Sequence, residues 1–158
     1  MIDYPITTAV RFLREKKVEF VPHVYEYVEK GGTRESARQL GIDEHRVVKT
    51  LVFETSEKAP LIVLMHGDKE VSTKKLARFI GVKSVEPATP EKLSKLTGYV
   101  AGGTSPFGTR TDLPVYFEKT IVELETIYIN GGKRGFLIEG DPRLLTGILN
   151  AVPVEIGI

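Results

Sequence analysis

Apolar residues recur along the chain in two rhythms, and the alternation between them predicts interleaved helices and strands. Thr7 or Thr8 caps a first helix running to about residue 17, with Val10, Leu13 and Phe12 on its inner face. A strand is predicted over 19–25. A second helix covers 33–40, because Thr33 suits an N-cap, Ala37 and Leu40 share a face, and Gly41 suits the left-handed stop. Strands over 47–54 and 61–65 follow. A third helix over 72–80 ends at Gly81 and buries Leu76, Ala77 and Ile80, while Lys74 and Lys75 face outward. Thr89-Pro90-Glu91 reads as a cap with proline at the first helical position, and Gly98 closes that short helix after Leu93 and Leu96. Strands over 115–118, 127–129 and 136–139 come next, the last two joined by a hairpin at Asn130-Gly131-Gly132, and Asp141-Pro142 opens a final helix to about residue 150. The hairpin forbids a purely parallel sheet, so the expected fold is a mixed-sheet α/β domain.

Composition narrows the picture. At 158 residues, with no linker-like stretch and no repeat, the whole of 1–158 reads as one domain. Lys and Arg number 22 against 21 Asp and Glu, a net charge of +1, so any contact with RNA must come from a local patch. The absence of cysteine excludes a disulfide framework, a cysteine nucleophile and thiolate metal sites. The longest clean apolar run, Leu61 to Met65, falls far short of the roughly 20 residues of a membrane helix, and Met1-Ile2-Asp3-Tyr4-Pro5 lacks a basic, then apolar leader pattern. The expected location is cytoplasmic.

Three segments carry candidate chemistry. In Val47-Val48-Lys49-Thr50-Leu51-Val52-Phe53, period-two alternation puts Lys49 on the face of Val47, Leu51 and Phe53. It either serves a desolvated site or snorkels to water from an edge strand. The segment Gly98-Tyr99-Val100-Ala101-Gly102-Gly103-Thr104-Ser105-Pro106-Phe107-Gly108 allows close backbone approach, with N–H groups gathered toward a phosphate, a ribose or a developing oxyanion. It is neither a P-loop nor a dinucleotide fingerprint, and an ordinary connection is the plain alternative. Gly131-Gly132-Lys133-Arg134-Gly135 holds two cations at a hairpin within reach of a backbone phosphate, although exposed turn cations are common. Ser105 lacks the elbow and the base of a nucleophile, and His23, His45 and His66 show no ligand spacing on one helix face. His23 and Tyr25 are expected to share a strand face, as a half-buried pair.

Together, Phe20-Val21-Pro22-His23-Val24-Tyr25, Val48-Lys49-Thr50-Leu51, Gly98-Tyr99-x-x-Gly102-Gly103-x-Ser105-Pro106-x-Gly108 and Thr126-Ile127-Tyr128-x-x-Gly131-Gly132-Lys133-Arg134-Gly135 resemble the YbaK/EbsC family. These are aminoacyl-tRNA deacylases related to the editing domain of bacterial prolyl-tRNA synthetase. The resemblance implies an α/β (α+β) fold, a twisted mixed sheet partly closed into a barrel and surrounded by helices, without metal or organic cofactor. It implies hydrolysis of the ester between a wrong amino acid and the tRNA 3′ end. Lys49 matches the family's essential lysine, and Gly102 the loop glycine facing the scissile carbonyl. Tyr25, Thr50, Tyr99, Gly103, Ser105, Asn130, Lys133 and Arg134 are the implied substrate-binding residues. The loop and hairpin look most like the branch acting on cysteinyl-tRNA(Pro), in which the substrate's own thiol attacks its carbonyl. Removal of alanine by water attack and a non-catalytic module docking on tRNA or a synthetase are the alternatives. Transient association with prolyl-tRNA synthetase is expected. Asn130 stands where many relatives carry serine, and Lys69 where some carry asparagine.

Overall fold

The computed structural model describes residues 3–158, so Met1 and Ile2, the start of the segment expected to lack a leader, lie outside the described residues. The elements are α1 (Thr8–Glu15), β1 (Val21–Val24), α2 (Gly32–Leu40), β2 (Val47–Thr55), β3 (Pro60–His66), α3 (Thr73–Ile80), β4 (Val85–Pro87), α4 (Pro90–Thr97), β5 (Val115–Glu118), β6 (Ile127–Lys133), β7 (Phe136–Gly140), α5 (Leu144–Gly147) and β8 (Val152–Val154), with short 3₁₀ turns at Glu44–Arg46 and Lys119–Glu123. Local chemistry explains the helix boundaries. The Thr7, Ser72 and Thr89 hydroxyls accept from Val10, Lys75 and Lys92 N–H, and Gly41, Gly81 and Gly98 stop their helices at φ of 67°, 88° and 82°. No helix among the described residues is long and apolar enough to cross a membrane.

All eight strands belong to one mixed sheet, ordered β1-β7-β6-β2-β3-β5-β8, with β4 also on β2. β2 pairs antiparallel with β3 and β4 and parallel with β6, while β5 runs parallel to both β3 and β8. β2 is buried on both faces. Val48 and Val52 join the large core of α1, β3, β5, β6 and β7, built around Leu13, Ile62, Phe117, Phe136 and Ile138. Val47 packs on the other face with Ala37 of α2, and Phe53 with Leu76 and Ala77 of α3. Alternation places Lys49 on that second face, between the two smaller clusters.

The pairing of β2 creates the opening the site needs. Along one edge β3 follows it from Val48 to Glu54. Along the other, β6 reaches only Val47 and Val48, and β4 begins only at Phe53. Residues 49–51 therefore have no ladder partner on that side. β6 leaves because it bulges between Asn130 and Lys133.

Four sequence expectations change at this level. Thr33, expected to cap the second helix, lies inside α2, whose N-cap is Gly31 without a side-chain cap bond, and its hydroxyl donates to Glu44 instead. The turn of the β6–β7 hairpin is Arg134-Gly135, with Lys133 opposite Phe136, and Asn130-Gly131-Gly132 is the bulge. Gly131 is needed because a Cβ there would enter the Phe136 ring, while Gly132 adopts φ +101° against Tyr99 and Thr7. The last helix stops at Gly147. Asn150 turns left-handed at φ 50°, and residues 152–154 are drawn into β8 beside β5. β4 and β8 have too few apolar residues, and too much proline, to show a strand period by themselves.

Replacing Gly131 by alanine forces an extra carbon into the packed core, with an expected cost of about 1–3 kcal/mol in urea unfolding. Gly147→Ala in α5, with nothing within 4 Å of the added carbon, is expected to cost nothing and to gain up to about 1 kcal/mol. Equal effects of the two would show that the Phe136 contact does not constrain the bulge.

Candidate functional site

At the break along β2, two cavities of about 490 and 400 Å³ adjoin. Thr50, Leu51, Glu70, Gly102 and Thr104 line both. The larger cavity is also lined by Tyr25, Tyr27, Lys30, residues 31–36 at the start of α2, Lys49 and Asn130. Of the residues expected from the sequence, Lys49, Thr50, Tyr25, Gly102 and Asn130 thus meet at one place. Tyr99, Gly103, Ser105, Lys133 and Arg134 are outside the lining of both cavities, and His23 is bound to Glu139 at 2.9 Å beside Tyr128. Lys69 lies in the turn after β3 and is outside the lining of both cavities.

The Lys49 side chain is 19% exposed, and its Nζ lies 3.4 Å from Oε1 of Glu70, whose own side chain is 80% exposed. Such a solvent-screened pair is worth little, leaving the ammonium free to bind an arriving anion. Thr50 turns to the opposite side of the strand, with its Oγ1 buried and unpartnered among the described residues. A buried hydroxyl without a partner is uncommon and suits a polar ligand group. The Tyr25 phenol has its pKa raised, chiefly by burial, so it remains a proton-bearing donor.

The glycine-rich loop is held from two sides. Below, the Tyr99 hydroxyl donates to the Phe107 carbonyl at 2.5 Å, and burial pushes this phenol up to about 12. Ser105 is fully buried, its Oγ accepting from Phe107 N–H at 3.1 Å. These two residues anchor the loop in the core. On the other side stands the β6–β7 hairpin. Arg134 Nε donates to Ala101 O at 2.9 Å with its guanidinium over the Tyr27 ring, and Asn130 Nδ2 donates to Gly102 O at 3.2 Å. Asn130 Oδ1 accepts from Gly132 and Lys133 N–H at 2.6 and 3.1 Å, so the bulge fixes its amide. A Cβ on Gly103 would lie 2.7 Å from Arg134 N, and the glycine lets loop and hairpin touch.

The sequence did not point to Tyr27, Lys30, Arg34 or Glu70, while Thr104 lay in the glycine-rich segment without being singled out. One signal was present: Lys30-Gly31-Gly32-Thr33-Arg34 sets a glycine pair among cations, much as Gly131-Gly132-Lys133-Arg134 does. At the rim Glu35 is committed to Arg38, which holds its carboxyl at about 2, and Glu44 accepts from Thr33 at 2.7 Å. Lys30 and Arg34 make no ion pair among the described residues. Against the single carboxylate of Glu44, which no cation pairs among the described residues, these two cations leave the mouth with a net positive charge.

His45 and His66, distant in sequence, stack at 3.7 Å and gather with Asp68. The His45 carbonyl can only accept, so the His66 Nδ1 carries the proton in that 2.8 Å bond, and its Nε2 accepts from Thr120 at 2.7 Å. The Asp68 carboxylate is bound to the ring of His45 at 2.9 Å. This cluster ties the 44–46 turn to the end of β3, next to the cavity-lining Glu44 and Gly67.

The sequence profile of the aminoacyl-tRNA editing domain matches residues 29–147. The chain belongs to the aminoacyl-tRNA editing family. It is 33% identical over 151 residues, 95% of its own length and 92% of the relative's, to a protein of Enterococcus faecalis named "Putative Cys-tRNA(Pro)/Cys-tRNA(Cys) deacylase EbsC". It is 32% identical over 113 residues to the proline–tRNA ligase of Thermodesulfovibrio yellowstonii, spanning 71% of this chain and 19% of that enzyme. The fold of this editing domain superposes on a crystal structure described as a "putative trans-editing enzyme for prolyl tRNA synthetase" with a TM-score of 0.84, at 24% identity and 99% coverage of both chains. Apart from Tyr25, Tyr27 and Val28, the residues lining the two cavities at β2 fall within the matched segment.

Burial lowers the pKa of His66 below its ordinary 6.5, with the stacked His45 adding to the effect and the His45 carbonyl, Asp68 and Glu118 opposing it. As pH falls through that ordinary value, the unfolded chain takes up a proton that the folded chain refuses. Stability therefore falls from about pH 6.5 downward until the folded pKa is reached. His66→Gln is expected to flatten the pH dependence of urea unfolding between about pH 7 and pH 5. Parallel profiles for the two proteins would show that His66 does not carry it.

Proposed function

We propose that this editing-family protein acts in trans on tRNA(Pro) mischarged with cysteine, releasing the amino acid from the 3′ end. The observation that carries the reading is the convergence of Lys49 and Gly102 on one cavity at the break in β2. Similarity over nearly the whole length to a relative named for Cys-tRNA(Pro) and Cys-tRNA(Cys) supports it. Lys49 holds the phosphate or ribose of the terminal nucleotide and orients the ester. Tyr25 and Thr50 line the same cavity, and the Gly102 N–H meets the carbonyl oxygen as negative charge develops on it.

Among the described residues no serine or cysteine nucleophile with an adjacent base lines the cavity, and the substrate's own thiol fills that role. Its sulfur bonds to the ester carbonyl carbon, the bond from that carbon to the ribose oxygen breaks, and the thiol proton passes to the leaving oxygen. Cysteine departs as a cyclic thioester that water later opens. The protein supplies placement and oxyanion stabilisation. With Lys30 and Arg34 unpaired at the mouth, backbone phosphates near the tRNA end have an electrostatic landing place. A chain of net charge +1 binds tRNA weakly on this patch alone, and prolyl-tRNA synthetase delivers the substrate in the cytoplasm.

The test charges tRNA(Pro) separately with cysteine, alanine, serine and proline and follows deacylation. Rapid loss of cysteine alone, reduced at least about a hundredfold in Lys49→Ala, is the expected outcome. Preferential loss of alanine would replace thiol attack by water attack, and saturable binding without loss of any amino acid would make the chain a binding module.

Lys30→Glu with Arg34→Glu is expected to raise KM for charged tRNA several-fold, to reduce its salt dependence and to leave kcat unchanged. An unchanged KM and salt slope would place the phosphates elsewhere.

A further inference from the structure

Two hydrogen bonds from the β6–β7 hairpin fall on the two peptide groups that flank the Gly102 Cα. Arg134 Nε holds Ala101 O at 2.9 Å, and Asn130 Nδ2 holds Gly102 O at 3.2 Å. In a planar trans peptide the C=O and N–H point in opposite directions. Ala101 O belongs to the same peptide as Gly102 N–H. Drawing this oxygen toward the hairpin therefore turns the Gly102 N–H away from it, and that N–H has no backbone or side-chain acceptor among the described residues. Gly102 itself lines both cavities.

The turn around this peptide has two forms. Gly103 N–H donates to Val100 O at 2.8 Å, and Gly102 stands third in the turn with φ +84°. Positive φ at that position belongs to the type II form. Type I differs by rotation of the central peptide, which here is Ala101–Gly102, and would reverse the direction of the Gly102 N–H. Glycine permits both forms, so the choice comes from outside the turn. Among the described residues, the side-chain bond to Ala101 O comes from Arg134, whose guanidinium is braced on the Tyr27 ring at 5.1 Å. Asn130 is braced by the bulge through two accepted N–H bonds.

We infer that Arg134 and Asn130 are positioning residues that hold the Ala101–Gly102–Gly103 turn in the type II form and so aim the Gly102 N–H at the scissile carbonyl. This rests on the reading of Gly102 as the oxyanion donor. It gives Arg134 a task inside the protein, where the sequence had suggested a hand extended to phosphate. It also gives Asn130 a use for both ends of its amide, donor to the loop and acceptor from the bulge.

The experiment compares the wild type with Arg134→Ala, Arg134→Lys and Asn130→Asp, measuring kcat and KM on cysteinyl-tRNA(Pro) and the Gly102 amide by NMR. Asn130→Asp keeps the acceptor for the bulge but sets an oxygen against Gly102 O. In Arg134→Ala and Asn130→Asp, kcat is expected to fall about tenfold to a hundredfold with KM within twofold, as misplacement of a reacting group does. Arg134→Lys, keeping a cation and a donor, is expected to recover part of the loss. The Gly102 amide shift and its φ-sensitive coupling should change in Arg134→Ala and return toward wild type in Arg134→Lys. A rise in KM with kcat unchanged would make Arg134 a direct tRNA contact and overturn the inference. If the wild type released no amino acid, the functional reading would fall, and the NMR arm would still decide the turn: an unaltered Gly102 amide in Arg134→Ala would show that the arginine does not hold it.

Discussion

Strand β2 has more residues than its neighbours on one side can pair. β6 accompanies it for two positions and then bulges away, and β4 arrives only near its end. A continuous ladder would have buried residues 49–51 between two backbones. The break instead leaves Lys49 and Thr50, on opposite faces, at a stretch of strand edge unpaired among the described residues, with β3 paired along the other edge to keep the segment straight. The cavities, the access of Lys49 and the resting place of the glycine loop all depend on that incomplete pairing.

The same bulge that ends the β2–β6 pairing also shapes the loop above it. Gly131 and Gly132 let β6 fold under Phe136 and Tyr99, and the Thr7 hydroxyl, which caps α1, donates to Gly131 O at 2.5 Å. The first helix, the bulge and the loop are thus mechanically joined. Asn130 and Arg134 then carry that rigidity across to Ala101 and Gly102. Under the proposed mechanism, which relies on placement, such a site has little tolerance for slack. Tyr99, Ser105 and Phe107 below and the hairpin above supply the required stiffness without a metal ligand set or a nucleophile triad among the residues that hold the loop.

Much of the scaffold was legible because local rules decide it. Helix caps at Thr7, Ser72 and Thr89 and glycine stops at 41, 81 and 98 are matters of a few bonds within one turn. The strands at 47, 61, 115 and 136 announce themselves through apolar runs. β4 and β8 do not, because each is three residues long and gains its ladder from a neighbour. The hairpin turn lies three positions beyond Gly131-Gly132 for a related reason. Both Gly131-Gly132 and Arg134-Gly135 tolerate a turn, and the contact between Gly131 and Phe136 selects between them.

Residue types and their order were sufficient to select the lysine strand, the glycine loop and the cationic hairpin, and through their joint pattern the family. Only tertiary structure sorted their tasks. Which way Tyr99 and Ser105 face depends on how the chain turns after Gly98, and both are buried against Phe107. Likewise, Arg134 is spent on a carbonyl and a tyrosine ring, while Lys30 and Arg34 stand free at the cavity mouth. Identity along the chain records which chemical groups exist. Their direction and their partners are properties of long-range packing, which no local spacing encodes.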